Sequence, residues 1–265
     1  MDEAQSQGIM LCRDRKTTAP ADTKLSCHQD EWFDRLPLLS EECLDRHNRP
    51  FVTVSYAQSI DGSIATRNRE QLRLSSRQSM VLTHRIRAAC DAIVIGINTL
   101  LVDNPLLTVR LVEGQNPQPV VLDSNLRIPL QARLFDRTDH RCWLACTDKN
   151  NHTQVSVVEN RGAEVIRCQR DRLDRVHLPN LLHLLGERGI RSIMVEGGSQ
   201  VISSFIEARL VDQMIITIAP RLVGGLPVFD RPAVDNGSLL HLNPVTYQSC
   251  GPDIILWGRP QWQEP

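Results

Sequence analysis

The segment Glu196-Gly197-Gly198-Ser199 holds the densest chemistry in the chain. It follows the short apolar run Ser192-Ile193-Met194-Val195, which reads as a buried strand, and Ser199 opens a run to Leu210 that reads as a helix. Glycines at such a junction let backbone come close to a ligand, and unpaired N–H groups at a helix start favour an anion. A cofactor pyrophosphate fits that description; so does a plain strand–turn–helix junction whose glycines serve tight packing. Glu196, a carboxylate closing a buried strand, must be satisfied by something, and a ligand hydroxyl or amine would do so. Arg87 lies three residues after His84 on roughly the same helical face, and Arg110 ends the run Leu106-Leu107-Thr108-Val109. Two arginines can clamp a phosphate through bidentate bonds; the alternative is two solvated surface charges. Asp61 and Asp103 are loop acids. Asp61-Gly62 is a turn signal in itself, and an acid before Asn104-Pro105 can simply bond backbone N–H groups.

The elements that must position these residues follow a regular alternation. Phe51–Tyr56, Ala92–Ile95, Val120–Leu122, Cys142–Ala145, Glu164–Ile166, Ser192–Val195 and Met214–Ala219 read as strands. Ser75 or Ser76 to about Ala89, Leu178 to Gly186 and Ser199 to Leu210 read as helices. Two further strands, near Val245–Ser249 and Asp253–Trp257, are joined only by Cys250-Gly251-Pro252 and form a hairpin. Strands alternating with helices imply an α/β fold with a mostly parallel sheet covered on both faces, here with an antiparallel C-terminal edge. In such sheets ligands bind beyond the carboxyl ends of the strands, where Ala57–Gly62, Gly96–Thr99, Asp123–Asn125 and Glu196–Ser199 all fall. Trp32, Phe33, Leu36 and Leu39 suggest a helix over 31–47 interrupted by Pro37, and residues 1–30 read as a mobile polar tail. The simplest division is an N-terminal extension, 1–48, partly disordered with this one helix, and a single domain over 49–260.

Composition excludes several classes. A chain of 265 residues with net charge −1 has no electrostatic footprint for nucleic acid or an anionic membrane, and 4% aromatics leave few stacking platforms. No apolar run approaches the roughly 20 residues of a membrane helix, and the N-terminus has no signal-peptide pattern, so a cytoplasmic location is expected. Eight scattered cysteines without a C-x-x-C pair read as reduced, mostly buried thiols, with no metal site. The H-E-x-x-H, G-x-S-x-G, S-x-x-K, G-x-G-x-x-G and P-loop patterns are all absent.

Read together, the strand-end segments resemble one family, the pyrimidine reductases of riboflavin synthesis. Val52–Gly62 resembles its opening strand and loop. His84-Arg85-Ile86-Arg87, Asp91–Gly96, Thr99 and Asp103–Arg110 match its longest motif in order and spacing. Pro119–Ser124, Val195–Gly198, Leu210–Asp212, Ala219-Pro220 and Gly224-Gly225 follow in order, so that the resemblance covers about residues 50–258. It implies a dihydrofolate-reductase-like fold, a homodimer, NADPH, and hydride delivery to the ribose C1′ of a phosphorylated ribosylaminopyrimidine in its ring-opened form. By matched position it implies that Ala57, Thr99, Asp103, Ser124 and the stretch Gly197, Gly198, Ser199, Gln200, Val201, Ile202, Ser203 and Ser204 contact the cofactor. Arg87, Leu107, Arg110 and Glu196 would contact substrate, with both arginines on its 5′-phosphate. Asp103 is the candidate proton relay. Ser124, with Asn125 or Arg127, is a candidate for the 2′-phosphate of NADPH. Ser55 and Asn104 stand where many bacterial members have lysine and aspartate, which brings the chain nearer the stand-alone enzymes that reduce before deamination. The deaminase signature, H-x-E with P-C-x-x-C, is missing. The diaminopyrimidinone is therefore the favoured substrate and the deaminated ribosylaminouracil phosphate the other. The rival readings are a same-fold reductase of a pterin or specialised metabolite, and a non-catalytic nucleotide-binding paralogue. Arg87 and Arg110 argue against the first, and intact Thr99, Asp103 and Gly197-Gly198 against the second.

Overall fold

The computed structural model describes residues 28–68, 70, 72–229 and 240–262. The tail expected over residues 1–30 lies almost wholly outside them. In chain order the elements are α1 (His28–His47), β1 (Phe51–Ser59), β2 (Ser63–Ala65), α2 (Arg77–Ala89), β3 (Ala92–Gly96), α3 (Ile97–Asp103) and β4 (Gln118–Leu122). A 3-10 turn (Arg133–Asp136), β5 (Trp143–Thr147), α4 (His152–Asn160), β6 (Glu164–Cys168), α5 (Leu178–Glu187), β7 (Ser192–Val195) and α6 (Ser199–Glu207) follow. The chain closes with β8 (Gln213–Ala219), β9 (Leu226–Pro227), β10 (Leu240–Cys250) and β11 (Asp253–Trp262).

One sheet of nine strands runs in the order β10-β11-β8-β1-β7-β3-β4-β5-β6, and β2 pairs separately with β9. From β8 to β6 the pairings are parallel; β11 runs antiparallel to β8 and to β10. The mostly parallel sheet with an antiparallel C-terminal hairpin is thus the architecture read from the sequence. Alternation sends neighbouring side chains of one strand to opposite faces. Ala92 and Val94 of β3 pack with Leu181, Leu182 and Leu185 of α5 and Phe205 of α6, while Ile93 and Ile95 pack with Leu100 of α3 and Val158 of α4. Both faces being covered explains why β3 is apolar throughout and buried end to end. Each fully buried leucine of α5 contributes about 1.5–3 kcal/mol of burial.

α2 is capped by Ser76, whose side chain accepts from Ser79 N. The helix α1 runs straight through Pro37 rather than being interrupted by it. A proline costs one helical hydrogen bond. Here Trp32, Leu36 and Cys43 bury against Phe51, Ile86, Ile215 and Trp257, which offsets that loss. Among the described residues no helix is long and apolar enough to cross a membrane. The described cysteines are free thiols, all buried except the half-buried Cys250.

Candidate active site

Parallel strands that stop at one edge leave a crevice there, and β1, β3, β4 and β7 end on a cleft of about 1950 Å³. Every site residue expected from the sequence lines it except Ser203. Ser203 turns away toward the β9 side, its hydroxyl 3.4 Å from the Val228 carbonyl oxygen. Helical geometry explains this: neighbours on one helix point in different directions, and Ser199, Gln200 and Ser204 take the cleft side.

The glycines act through close approach. Gly197 and Gly198 have φ of 91° and 82°, in the left-handed region. A Cβ on Gly198 would lie 2.9 Å from Thr99 Oγ1, and one on Gly96 would lie 2.7 Å from Val201 Cγ2. The starts of α3 and α6 therefore nest against each other only because both positions lack side chains. Gly198 is the N-cap of α6, and no side chain caps that helix. Gly198, Ser199 and Gln200 line the cleft, and the N–H groups of such a helix start suit an anionic group such as a pyrophosphate.

Opposite charges meet at one end. Arg87 Nε donates to Glu196 Oε1 at 2.7 Å, Nη2 donates to Oε2, and Nη1 donates to the Thr108 carbonyl at 3.1 Å. The side chains of this pair are only 10% and 16% exposed. Burial works against the Arg87 charge, but Glu196 outweighs it and holds the guanidinium above its ordinary pKa. The expected satisfaction of Glu196 thus comes largely from Arg87. Arg110 is different. Its Nη1 bonds only Thr108 Oγ1, at 2.8 Å, and it has no carboxylate partner among the described residues. Its backbone N–H donates to Nδ1 of His84 at 2.9 Å. His84 is 1% exposed, and burial, followed by Arg87 and Arg110, pushes its pKa down to about 4. The ring is neutral at neutral pH, with Nδ1 as the acceptor. Leu107, 2% exposed with φ of 54°, is held under this loop by Arg137, which donates to the carbonyls of Leu106, Leu107 and Pro117.

Asp103 ends α3 with its carboxylate free of hydrogen bonds and ion pairs among the described residues, and it lines the cleft. Partial burial raises its pKa above the ordinary aspartate range. At the far end, Ser124 Oγ accepts from Val176 N at 3.2 Å, and buried Asp123 accepts from Ile128 N at 2.8 Å, fixing the loop that carries Asn125 and Arg127. Asp61 has the structural role a turn former would have. Its carboxylate accepts from Ser59 and Ser63 hydroxyls and from Val223 and Gly224 N–H groups. These bonds, the Ser59 hydroxyl first, hold it far below the usual carboxylate range. They also fasten the β2–β9 ribbon, whose Ile64, Ala65, Leu226 and Pro227 line the cleft. The cleft further includes Arg133 and Arg172, for which no sequence motif gave a signal, and Tyr56, which lies in the Val52–Gly62 motif but was not singled out as a site residue.

A model of the RibD C-terminal domain matches residues 50–256, and the chain belongs to that family. It is 39% identical over 199 residues to the 2,5-diamino-6-ribosylamino-4(3H)-pyrimidinone 5′-phosphate reductase of Archaeoglobus fulgidus, covering 71% of this chain and 87% of the relative. It is 34% identical to the riboflavin biosynthesis protein RibD of Actinobacillus pleuropneumoniae across 83% of this chain, but spans only 61% of that longer protein. In fold it resembles the riboflavin biosynthesis reductase of Saccharomyces cerevisiae, with TM-score 0.65 and 24% identity over 86% of this chain and 100% of that one.

Proposed function

We propose that this protein reduces 2,5-diamino-6-ribosylamino-4(3H)-pyrimidinone 5′-phosphate to its ribitylamino form with NADPH, as a step of riboflavin biosynthesis. The observation that carries this reading is the match to the archaeal stand-alone reductase over 87% of that enzyme's length. The cleft supports it, with an anion-ready helix start at one place and an unpaired arginine at another.

NADPH, when bound, supplies the hydride that adds to C1′ of the ring-opened sugar. The residues present fit it: Gly198 leaves the space a side chain would fill, and uncapped N–H groups of α6 await an anion. Ala57, Thr99, Asp103, Ser124, Gly197 to Ile202 and Ser204 line its proposed path, with Ser124, Asn125 and Arg127 near the 2′-phosphate. Arg110 takes the substrate phosphate, and Leu107 and the Arg87–Glu196 pair wall the substrate side. Asp103, its carboxyl raised by burial, provides the proton that makes the imine nitrogen an iminium. The β2–β9 ribbon limits water. Alignment of two flat rings supplies much of the barrier reduction. We further propose a cytoplasmic homodimer built on the open edge strand β10, on which Tyr247 is 64% exposed.

The test is NADPH absorbance with the diamino and the deaminated ribosylaminopyrimidine phosphates in parallel. Oxidation with preference for the diamino compound is expected. No oxidation with either overturns the reading, and preference for the deaminated compound overturns the choice of substrate.

A further inference from the structure

We propose that α1, which precedes the family's matched residues 50–256, is part of the scaffold of the substrate side, and that Arg85 is the positioning residue through which it acts. This rests on the reading above that the Arg110 loop meets the substrate.

Three members of the run His84-Arg85-Ile86-Arg87 have their places. Arg87 lines the cleft, His84 accepts from Arg110 N, and Ile86 is 1% exposed in the core. Arg85 does none of these things and does not line the cleft. It turns to α1 instead. Its guanidinium carbon lies 4.4 Å from the centroid of the Phe33 ring, and Nη2 donates to Asp30 Oδ1 at 2.8 Å. The Asp30 side chain is 64% exposed, so water screens the ion pair, and the ring face carries most of the contact. Phe33 in turn meets Trp32 edge-on at 4.9 Å, and Trp32 packs on Trp257 of β11 at 5.6 Å.

What α1 fixes in this way has a defined output. α2 holds the loop 106–110 by two bonds: His84 Nδ1 accepts from Arg110 N at 2.9 Å, and Arg87 Nη1 donates to the Thr108 carbonyl at 3.1 Å. Both bonds come from the helical turn that contains Arg85, so a rotation of that turn moves Arg110 with it. The start of α2 has its own fastening, Ser76 N and Ser79 Oγ donating to Asp253 Oδ2 at 2.7 and 2.6 Å. The turn at 84–87 lies about two turns further on. There Leu82 and Ile86 seat the helix on Met194 and Ile215, and such apolar burial is non-directional. The Arg85 contact supplies the direction. α6 packs on the opposite face of the sheet, with Val54 and Val195, so the effect on the cleft is one-sided.

The experiment compares wild type with Arg85→Met, Arg85→Lys, Phe33→Leu and the double variant of the Met and Leu changes. Steady-state kinetics are measured beside hydrogen exchange read by mass spectrometry. Arg85→Met and Phe33→Leu each raise KM for the ribosylaminopyrimidine phosphate by about 3- to 10-fold, the size of one cation–π contact. kcat and KM for NADPH stay within about twofold. The double variant is no worse than the poorer single one, because both changes break the same contact. Arg85→Lys, which keeps the cation, stays near wild type. Exchange quickens in the second half of α2 and in the loop 106–110, and is unchanged in α6. An unchanged substrate KM in both single variants, equal rises in both KM values, or single effects that multiply in the double variant overturn the proposal. If wild type reduces neither ribosylaminopyrimidine phosphate, the reductase reading fails by itself, and exchange still decides: no quickening in the loop, or equal quickening in α6, rejects Arg85 as the link.

Discussion

Two buried arginine–carboxylate pairs sit at opposite edges of the same sheet. Arg49 and Asp212 precede β1 and β8, at the amino ends of the parallel strands; Arg87 and Glu196 lie at the carboxyl end of β7. Their geometry is alike. Arg49 donates to both Asp212 oxygens at 2.7 and 2.9 Å, with side chains 13% and 20% exposed. The surroundings differ. Asp212 also accepts from Val52 N at 2.8 Å and from the Cys43 thiol, and Arg49 also donates to the Pro50 carbonyl. Burial, then Asp212, pushes that thiol up to about 12, so it stays protonated and inert. The pair at the amino edge is saturated and locks α1 to the sheet. The pair in the cleft stands beside groups that are not saturated: Arg110, Arg133 and Asp103. A buried ion pair does not mark a functional site; unmatched polar groups next to it do.

The sharpest way to break this contrast is to remove one carboxylate from each pair. Asp212→Ala strands a guanidinium and a backbone N–H and costs about 3–5 kcal/mol in urea unfolding, with KM of the folded fraction unchanged. Glu196→Ala leaves Arg87 facing a wet cleft and costs less stability, about 1–3 kcal/mol, but lowers kcat/KM by about 100-fold. Equal stability losses with equal activities would erase the distinction.

A smaller effect is expected at His84. His84→Ala frees the Arg110 loop and raises substrate KM several-fold with little change in kcat. His84→Asn, whose Oδ1 can take the place of Nδ1, restores KM. The ring also couples stability to pH. Its pKa is lowered from 6.5 to about 4 in the fold, so the unfolded chain takes the proton first. This contribution is intact above about pH 6.5 and falls away as pH drops toward about 4. In His84→Asn that part of the acid sensitivity vanishes. The smallest effect belongs to Ser203→Ala, which leaves kcat/KM within about twofold, because Ser203 faces Val228 and not the cleft. A larger drop would return Ser203 to the site.

Sequence reading went furthest where local pattern and burial agree. β3 and α6 were legible because an apolar run and a 3.6-residue period each admit one solution, and the glycines at 197 and 198 marked the α6 start. The short helix α3 and the β2–β9 ribbon were not legible, being held by Gly96, Gly198 and the Asp61 bonds rather than by periodicity. Pro37 argued for a break in α1 that tertiary packing overrides. In the site, the strand-end rule found the residues but not their pairing. Glu196 and Arg87 are 109 positions apart, and no local signal says that the carboxylate and the arginine pair. The place of Arg133 in the cleft wall was invisible for the same reason: its backbone is tied to Asn104, 29 positions away in sequence and near in space.

The central claim, reduction of the ribosyl C1′ in this cleft, is tested most directly with NADPH deuterated at the transferring position of the nicotinamide and the diaminopyrimidinone phosphate. The product is then examined by mass spectrometry and NMR. A ribitylamino product with deuterium at C1′ is expected. Deuterium at another carbon, or recovery of unreduced substrate, would contradict it.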